Sequence, residues 1–321
     1  MKTQFKTRIA PTPSGLLHEG NGTSFILTYA LARAHQGQVV LRIDDLDAER
    51  MRLEYLDDIF RTLDWLGIDW DEGPSSVADF QLNWSQHHRL DLYQNMLEKL
   101  RYTDGTSRNS REGGIYACHC SRKQIREASS NGLYPQTCRF KNLDFDEKET
   151  AWRIYVPENT IVSFNNFDLE SRTIINNASR IDNTIGDFVV RQKNGLPAYQ
   201  VASLADDIEF GINFIVRGAD LLPSTAAQVF LTEQLGRTEF TESLFIHHSL
   251  LTNAQGEKLS KSQGASALAE WRKTGKTAEN LIKQVAKWLK QDEIGNLNEL
   301  IDVLKGQNYL KYPLSNFNKK A

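Results

Sequence analysis

The chain reads as α/β, built on a doubly wound parallel sheet, and three features carry that reading. A short apolar run, Phe5 to Ala10, leads through a proline- and glycine-bearing turn into an apolar helical stretch, Thr23 to Ala34. A second run, Val39-Val40-Leu41-Arg42-Ile43, is β-branched and closed by charge, the pattern of a strand buried on both faces. After a polar middle section, parallel-sheet character returns in Phe188-Val189-Val190 and Phe214-Ile215-Val216-Arg217. Strands separated by helical stretches in this way build parallel βαβ units.

The turn between the first strand and helix is Pro11-Thr12-Pro13-Ser14-Gly15-Leu16-Leu17-His18-Glu19-Gly20-Asn21. Its prolines stiffen the backbone, and Gly15 and Gly20 let a ligand come close. A helix N-terminus after such a turn favours an anion, because its unpaired N–H groups and its dipole both point there. Gly37 ends the helix. The second strand runs into Asp44-Asp45-Leu46-Asp47. Ligands of open α/β sheets gather at the carboxyl ends of strands, which places Asp44 at a substrate contact; at least one neighbouring aspartate is a helix N-cap instead. Glu49 to Leu66 is an amphipathic helix with Leu53, Leu56, Ile59, Phe60 and Leu63 at helical spacing. A second helix, Gln86 to Arg101, follows the Gly73-Pro74 turn.

From Tyr102 to Asp187 the texture changes. Ser, Asn and Gly become frequent, all three cysteines appear, and Trp152 to Val156 and Thr160 to Phe164 read as short antiparallel strands. We assign 102–186 as an α+β insertion between the two halves of the sheet domain, 1–101 and 187–264. A helix from Ser224 to Leu235, the apolar segment Leu244-Phe245-Ile246 and a polar loop ending at Ser262 complete that domain. A short helical, basic-tinged region spans 265–321.

The net charge of −3 gives no global positive field for nucleic acid, although a local basic face can coexist with it. No apolar run approaches the roughly 20 residues of a membrane span. The segment Met1 to Lys6 lacks the apolar core of an export signal, so a cytoplasmic protein with no membrane partner is expected. Three cysteines between Cys118 and Cys138 make no even disulfide framework, and in the cytosol they point to metal or thiol chemistry. Cys118, Cys120 and Cys138 supply three ligands of a tetrahedral zinc site, with His119 or Tyr134 as the fourth. His119 is awkward because neighbours in an extended loop point apart, whereas phenolate is an uncommon zinc ligand. Farther along, Lys258-Leu259-Ser260-Lys261-Ser262 puts two lysines on a glycine-preceded loop, able to wrap a triphosphate and neutralise departing charge.

The glycine turn with His18, paired with the Lys258 to Ser262 loop, resembles the HIGH and KMSKS signatures of class I aminoacyl-tRNA synthetases. Arg8-Ile9-Ala10-Pro11, LRIDDLD, LGIDWDEGP and IVRGADLLPST are similar to the glutamyl branch, and the resemblance covers most of residues 5 to 265. From the short stretch after the second signature, no full anticodon-binding domain is expected. The set Cys118, Cys120, Tyr134 and Cys138 is similar to the zinc site of glutamyl-Q tRNA(Asp) synthetases, which moves the fourth ligand from His119 to Tyr134.

The resemblance implies a Rossmann-like catalytic domain, one structural zinc in the insertion, and magnesium accompanying ATP. It implies activation of L-glutamate to glutamyl-adenylate without tRNA, then transfer to the queuosine base of tRNA(Asp). Alternatives are a truncated glutamyl-tRNA synthetase charging tRNA(Glu), or a weakened nucleotide- or RNA-binding paralogue. Glutamate carries two carboxylates and an ammonium, so its pocket needs arginine and acid. By motif match, Arg8, Ile9, Ala10, Pro11, Thr12, Asp44, Tyr199 and Arg217 would hold glutamate. Ser14, Gly15, His18, Gly20, Asn21 and Lys261 would hold ATP, and His18, Lys258 and Lys261 would act on the reaction. Two departures stand out. Asp44 replaces the family's glutamate, so it must reach about one methylene further or work through water. Glu19 replaces an apolar residue, and an anion beside a phosphate is unfavourable unless it turns away or meets a cation.

Overall fold

A parallel βαβ unit opens the fold. In the computed structural model, which describes residues 4–47, 49, 51–103, 106–107, 114–251, 267–291, 294–307 and 309–310, the strand Lys6–Ile9 lies parallel to Gln38–Leu41. The helix Glu19–Ala34 joins them. Phe214–Gly218 pairs parallel with Leu244–His248, which pairs parallel with Ile161–Asp168. Lys6 and Asn213 tie the two groups together, with Lys6 N donating to Asn213 Oδ1 at 2.8 Å and Asn213 N donating to Lys6 O at 3.0 Å.

The structure bears out one antiparallel strand and gives it a further partner, and it corrects one parallel assignment. Ile161–Asp168 and Thr173–Arg180 form a hairpin on the edge of the parallel group, so the second half of 102–186 extends the sheet. Phe164 meets Phe245 with ring centroids 5.4 Å apart, and burying that face outweighs the polar character of the neighbouring segment. Val189–Arg191, read as parallel, instead lies antiparallel to Ala151–Ile154, which pairs in turn with Ile115–Cys118. A short apolar run looks the same in either kind of sheet, so its partner decides. The helix Tyr199–Glu209 went unread, although Val201, Leu204 and Ala205 recur on one buried face.

Ile26, Leu27, Ala30 and Leu31 of the first helix are fully buried. A helix apolar all round needs cover on both sides. The sheet supplies one side, and Leu268, Leu281, Val285, Leu300 and Leu304 of the C-terminal helices join the same core on the other. Gly22 permits that approach: a Cβ there would lie 2.9 Å from the Cδ1 atoms of both Leu268 and Leu281. Among the described residues no helix is long and apolar enough to cross a membrane.

Gly73 sits beside the second strand at φ 129°, and a Cβ there would fall 2.3 Å from the Leu41 carbonyl oxygen. Leu41 N also donates to Glu72 O at 2.9 Å, so this loop cannot back away without loosening the strand that leads to Asp44. Gly73→Ala is expected to cost about 3 kcal/mol in urea unfolding, from backbone strain plus overlap. A variant as stable as the parent would contradict this packing.

Candidate functional site

A cleft of about 280 Å³ opens where Lys6–Ile9 and Phe214–Gly218 end against the start of the first helix. Arg8, Ile9, Ala10, His18, Gly20, Asn21, Tyr199 and Arg217 all line it. Both arginines are buried. Arg8 Nε donates to Asp207 Oδ1 at 3.1 Å and its Nη1 to Val216 O at 3.4 Å. Arg217, only 3% exposed, donates from Nη1 to Gln228 Oε1 at 3.0 Å, while its Nε and Nη2 have no hydrogen-bond partner. Burial pulls the Arg217 pKa down to about 10, with Arg8 and Arg42 adding to the effect and Tyr199 and Asp207 opposing it. A buried guanidinium with two unused donors is a costly arrangement that an incoming anion would relieve.

Beneath the cleft lies a buried ionic cluster. Arg42 grips both oxygens of Asp44, Nε to Oδ1 at 2.7 Å and Nη2 to Oδ2 at 3.1 Å. The same guanidinium reaches Asp207 Oδ1 at 2.6 Å and Ser203 Oγ at 3.1 Å. Asp206 accepts from Arg89 Nε and Tyr93 Oη, both at 2.8 Å, and from Gln86 Nε2 at 2.9 Å. Burial pushes the Asp44 carboxyl up against the pull of Arg42. Asp44 therefore stands behind the cleft, engaged by Arg42, and does not line it. Sequence reasoning missed Arg42, Arg89, Asp206 and Asp207. The usable signal was Asp206-Asp207 within the apolar run of Tyr199–Glu209, since buried acids require paired cations.

His18 is the N-cap of the first helix. Its Nδ1 accepts from Gly20 N at 3.1 Å, and Asn21 Oδ1 accepts from His18 N at 3.0 Å, which completes a capping box. With Nδ1 accepting, the neutral ring carries its proton on Nε2. The expected nucleotide residues divide around His18. Gly20 and Asn21 face the cleft, whereas Ser14 and Gly15 line a more open depression of about 980 Å³ with Asp58, Arg61 and Arg272. Pro11 and Thr12 stay out of the cleft lining, and Pro11 O accepts from Asp44 N at 2.9 Å. Glu19 occupies the first helical turn, where the dipole favours a carboxylate, and lines neither cavity. Lys258 and Lys261 lie outside the described residues.

His247 lies opposite Arg217 on the neighbouring parallel strand, Leu244–His248. Its ring nitrogens meet Asn166 Oδ1 at 2.6 Å and Thr225 Oγ1 at 2.7 Å. Burial, then Arg217, push its pKa down to about 3, against roughly 6.5 in an unfolded chain. The unfolded state binds the extra proton, so this contribution to stability is complete above about pH 6.5 and is lost toward pH 3, by up to about 1.4 kcal/mol per pH unit. Urea titrations at pH 5 and 7 are expected to show a smaller stability difference for His247→Gln than for the parent. Equal differences would remove His247 from the pH response.

The cysteines converge. The sulfur atoms of Cys118, Cys120 and Cys138 all lie within 4.8 Å of one another. Tyr134 Oη is 3.3 Å from Cys118 Sγ and 3.7 Å from Cys120 Sγ. Ligand sulfurs around tetrahedral zinc, with bonds of about 2.3 Å, stand roughly 3.8 Å apart, so this donor set fits that ion. His119 turns aside, its Nε2 3.0 Å from Thr150 Oγ1 and 3.4 Å from Glu147 Oε2. Arg153 covers the cluster, with Nε 3.4 Å from Cys118 Sγ and its guanidinium 3.8 Å from the centroid of the Tyr134 ring. Burial and the neighbouring thiols push the Tyr134 phenol up.

Residues 4–302 match the family described as tRNA synthetases class I (E and Q), catalytic domain. The chain is 38% identical over 267 residues to the glutamyl-Q tRNA(Asp) synthetase of Verminephrobacter eiseniae, covering 81% of this chain and 83% of that protein. It is 37% identical over 293 residues to the protein of the same name from Neisseria meningitidis serogroup B, covering 89% and 88%. Among solved structures, a glutamate-tRNA synthetase from Elizabethkingia anophelis superposes with a TM-score of 0.72 at 25% identity, over 93% of this chain and 65% of that longer one.

Proposed function

The chain belongs to the class I tRNA synthetases for glutamate and glutamine, on the branch of the glutamyl-Q tRNA(Asp) synthetases, and from that membership we propose that it makes glutamyl-adenylate from glutamate and ATP without tRNA and passes the glutamyl group to the queuosine base of tRNA(Asp). The observation that carries the amino-acid half is Arg217, buried at the cleft with two unused N–H donors beside Arg8. Two guanidiniums suit a substrate with two carboxylates, and the planar fork of arginine fixes their orientation. Tyr199 walls the pocket. Asp44, with both oxygens held by Arg42, acts on the substrate ammonium through its field rather than by direct contact.

One substrate carboxylate oxygen forms a bond to the α-phosphorus of ATP as the bond to pyrophosphate breaks. His18 and the positive end of the helix dipole beside Gly20 and Asn21 attract the phosphate oxygens, while Lys258 and Lys261 neutralise the departing pyrophosphate. Magnesium accompanies ATP and shields its phosphate charge. Cys118, Cys120, Tyr134 and Cys138 would hold zinc, which cross-links the loops around Ile115–Cys118. The test is transfer of labelled glutamate to tRNA(Asp) with and without queuosine, alongside pyrophosphate exchange in the absence of tRNA. Labelling confined to the queuosine-bearing tRNA is expected. Equal labelling of both forms, or labelling of tRNA(Glu), would overturn the acceptor assignment.

A further inference from the structure

The lining of the cleft contains a third chemistry beside its cations and its helix N-terminus. Trp288, His248, Leu250 and Leu251 form an apolar, aromatic section. The rings of Trp288 and His248 are stacked, with centroids 5.0 Å apart and planes 24° from parallel. His248 is fixed at both nitrogens: Nε2 is 3.0 Å from Ser24 Oγ on the first helix, and Nδ1 is 2.9 Å from Ser249 O. Nδ1 facing a carbonyl carries the proton, so Nε2 accepts from the serine hydroxyl. Burial lowers the His248 pKa and keeps the ring neutral.

Trp288 ends the helix Glu279–Trp288, which belongs to the C-terminal region and packs into the core of the sheet domain. The close approach allowed by Gly22 brings that region against the helix that starts at His18. One helix is thus clamped between the sheet and the C-terminal helices, and the clamp delivers an indole to the cleft.

We propose that Trp288, braced by His248, is the stacking wall for the nucleobase of the bound nucleotide, so that the C-terminal helices complete the nucleotide pocket. This rests on the adenylate reading and deepens it. Every base has a π-face, and an indole held by a second ring meets one with little loss of side-chain freedom.

Calorimetric titration of the full chain with ATP, and separately with inorganic tripolyphosphate, tests this in the parent and in Trp288→Leu and Trp288→Phe. Trp288→Leu is expected to weaken ATP about tenfold, the size of one base–aromatic stack, and to leave tripolyphosphate unchanged. Trp288→Phe is expected to recover most of the ATP affinity. Unchanged ATP binding in Trp288→Leu overturns the inference while leaving the adenylate reading standing. Parallel weakening of both ligands also overturns it, by making Trp288 a prop for the first helix. A parent chain that binds no ATP overturns both.

Discussion

Arg217→Met is expected to lower glutamate-dependent pyrophosphate exchange by at least about a hundredfold while raising the stability of the unliganded protein by about 1 kcal/mol. The first effect follows from the proposed role of Arg217: removing a buried charge that would pair with a substrate carboxylate costs about 2–5 kcal/mol at desolvated sites. The second follows from the state of Arg217 without substrate. It has one hydrogen bond, to Gln228, and two unused buried donors, and its pKa is depressed chiefly by burial. Replacing such a group by an apolar side chain of similar length removes a desolvation penalty, less the cost of leaving Gln228 Oε1 alone. Exchange kinetics and urea unfolding measure the two halves independently. Retained activity would remove Arg217 from the pocket, and a loss of stability would mean that its charge is already satisfied.

Cys138→Ala is expected to take bound zinc from one ion per chain to near zero and to lower stability by several kcal/mol in the segment around Ile115–Cys118 and Ala151–Ile154. Three sulfurs and a phenol oxygen within ligand reach of one point leave little other purpose for so many polar atoms in a buried cluster. Elemental analysis and thermal unfolding with and without chelator measure it. Tyr134→Phe is expected to weaken zinc binding and His119→Ala to leave it unchanged, because His119 faces Thr150 and Glu147. Full metal occupancy in Cys138→Ala would return the cysteines to ordinary packing.

The two signatures and the first βαβ unit were legible because they are local, and Arg8, Tyr199 and Arg217 were legible only through the resemblance of their motifs. His18 caps the helix that its own turn begins, and Arg8 was named by its match to the motif just before that turn. Cysteine spacing likewise announced a cluster, because Cys118 ends a strand, Cys120 follows two residues later and Cys138 lies beyond a short helix. Local chemistry could not reveal which of several acids would be taken by which arginine. Asp44 was placed against the substrate, but Arg42, two residues earlier and on the same stretch of chain, holds it in a cluster completed by Asp206 and Asp207 from a distant helix.

The sequence by itself determined the α/β class, the order of the chemical groups along the chain and the family to which they belong, because glycine turns, strand ends and capping residues act within a few residues of themselves. Only the tertiary structure decided which short strands run parallel, which carboxylates are consumed by internal arginines, and that a tryptophan near the C-terminus stands in the wall of the cleft. Each of those depends on burial shared between segments far apart in sequence. Free energy from such contacts, unlike turn and capping chemistry, has no local signature.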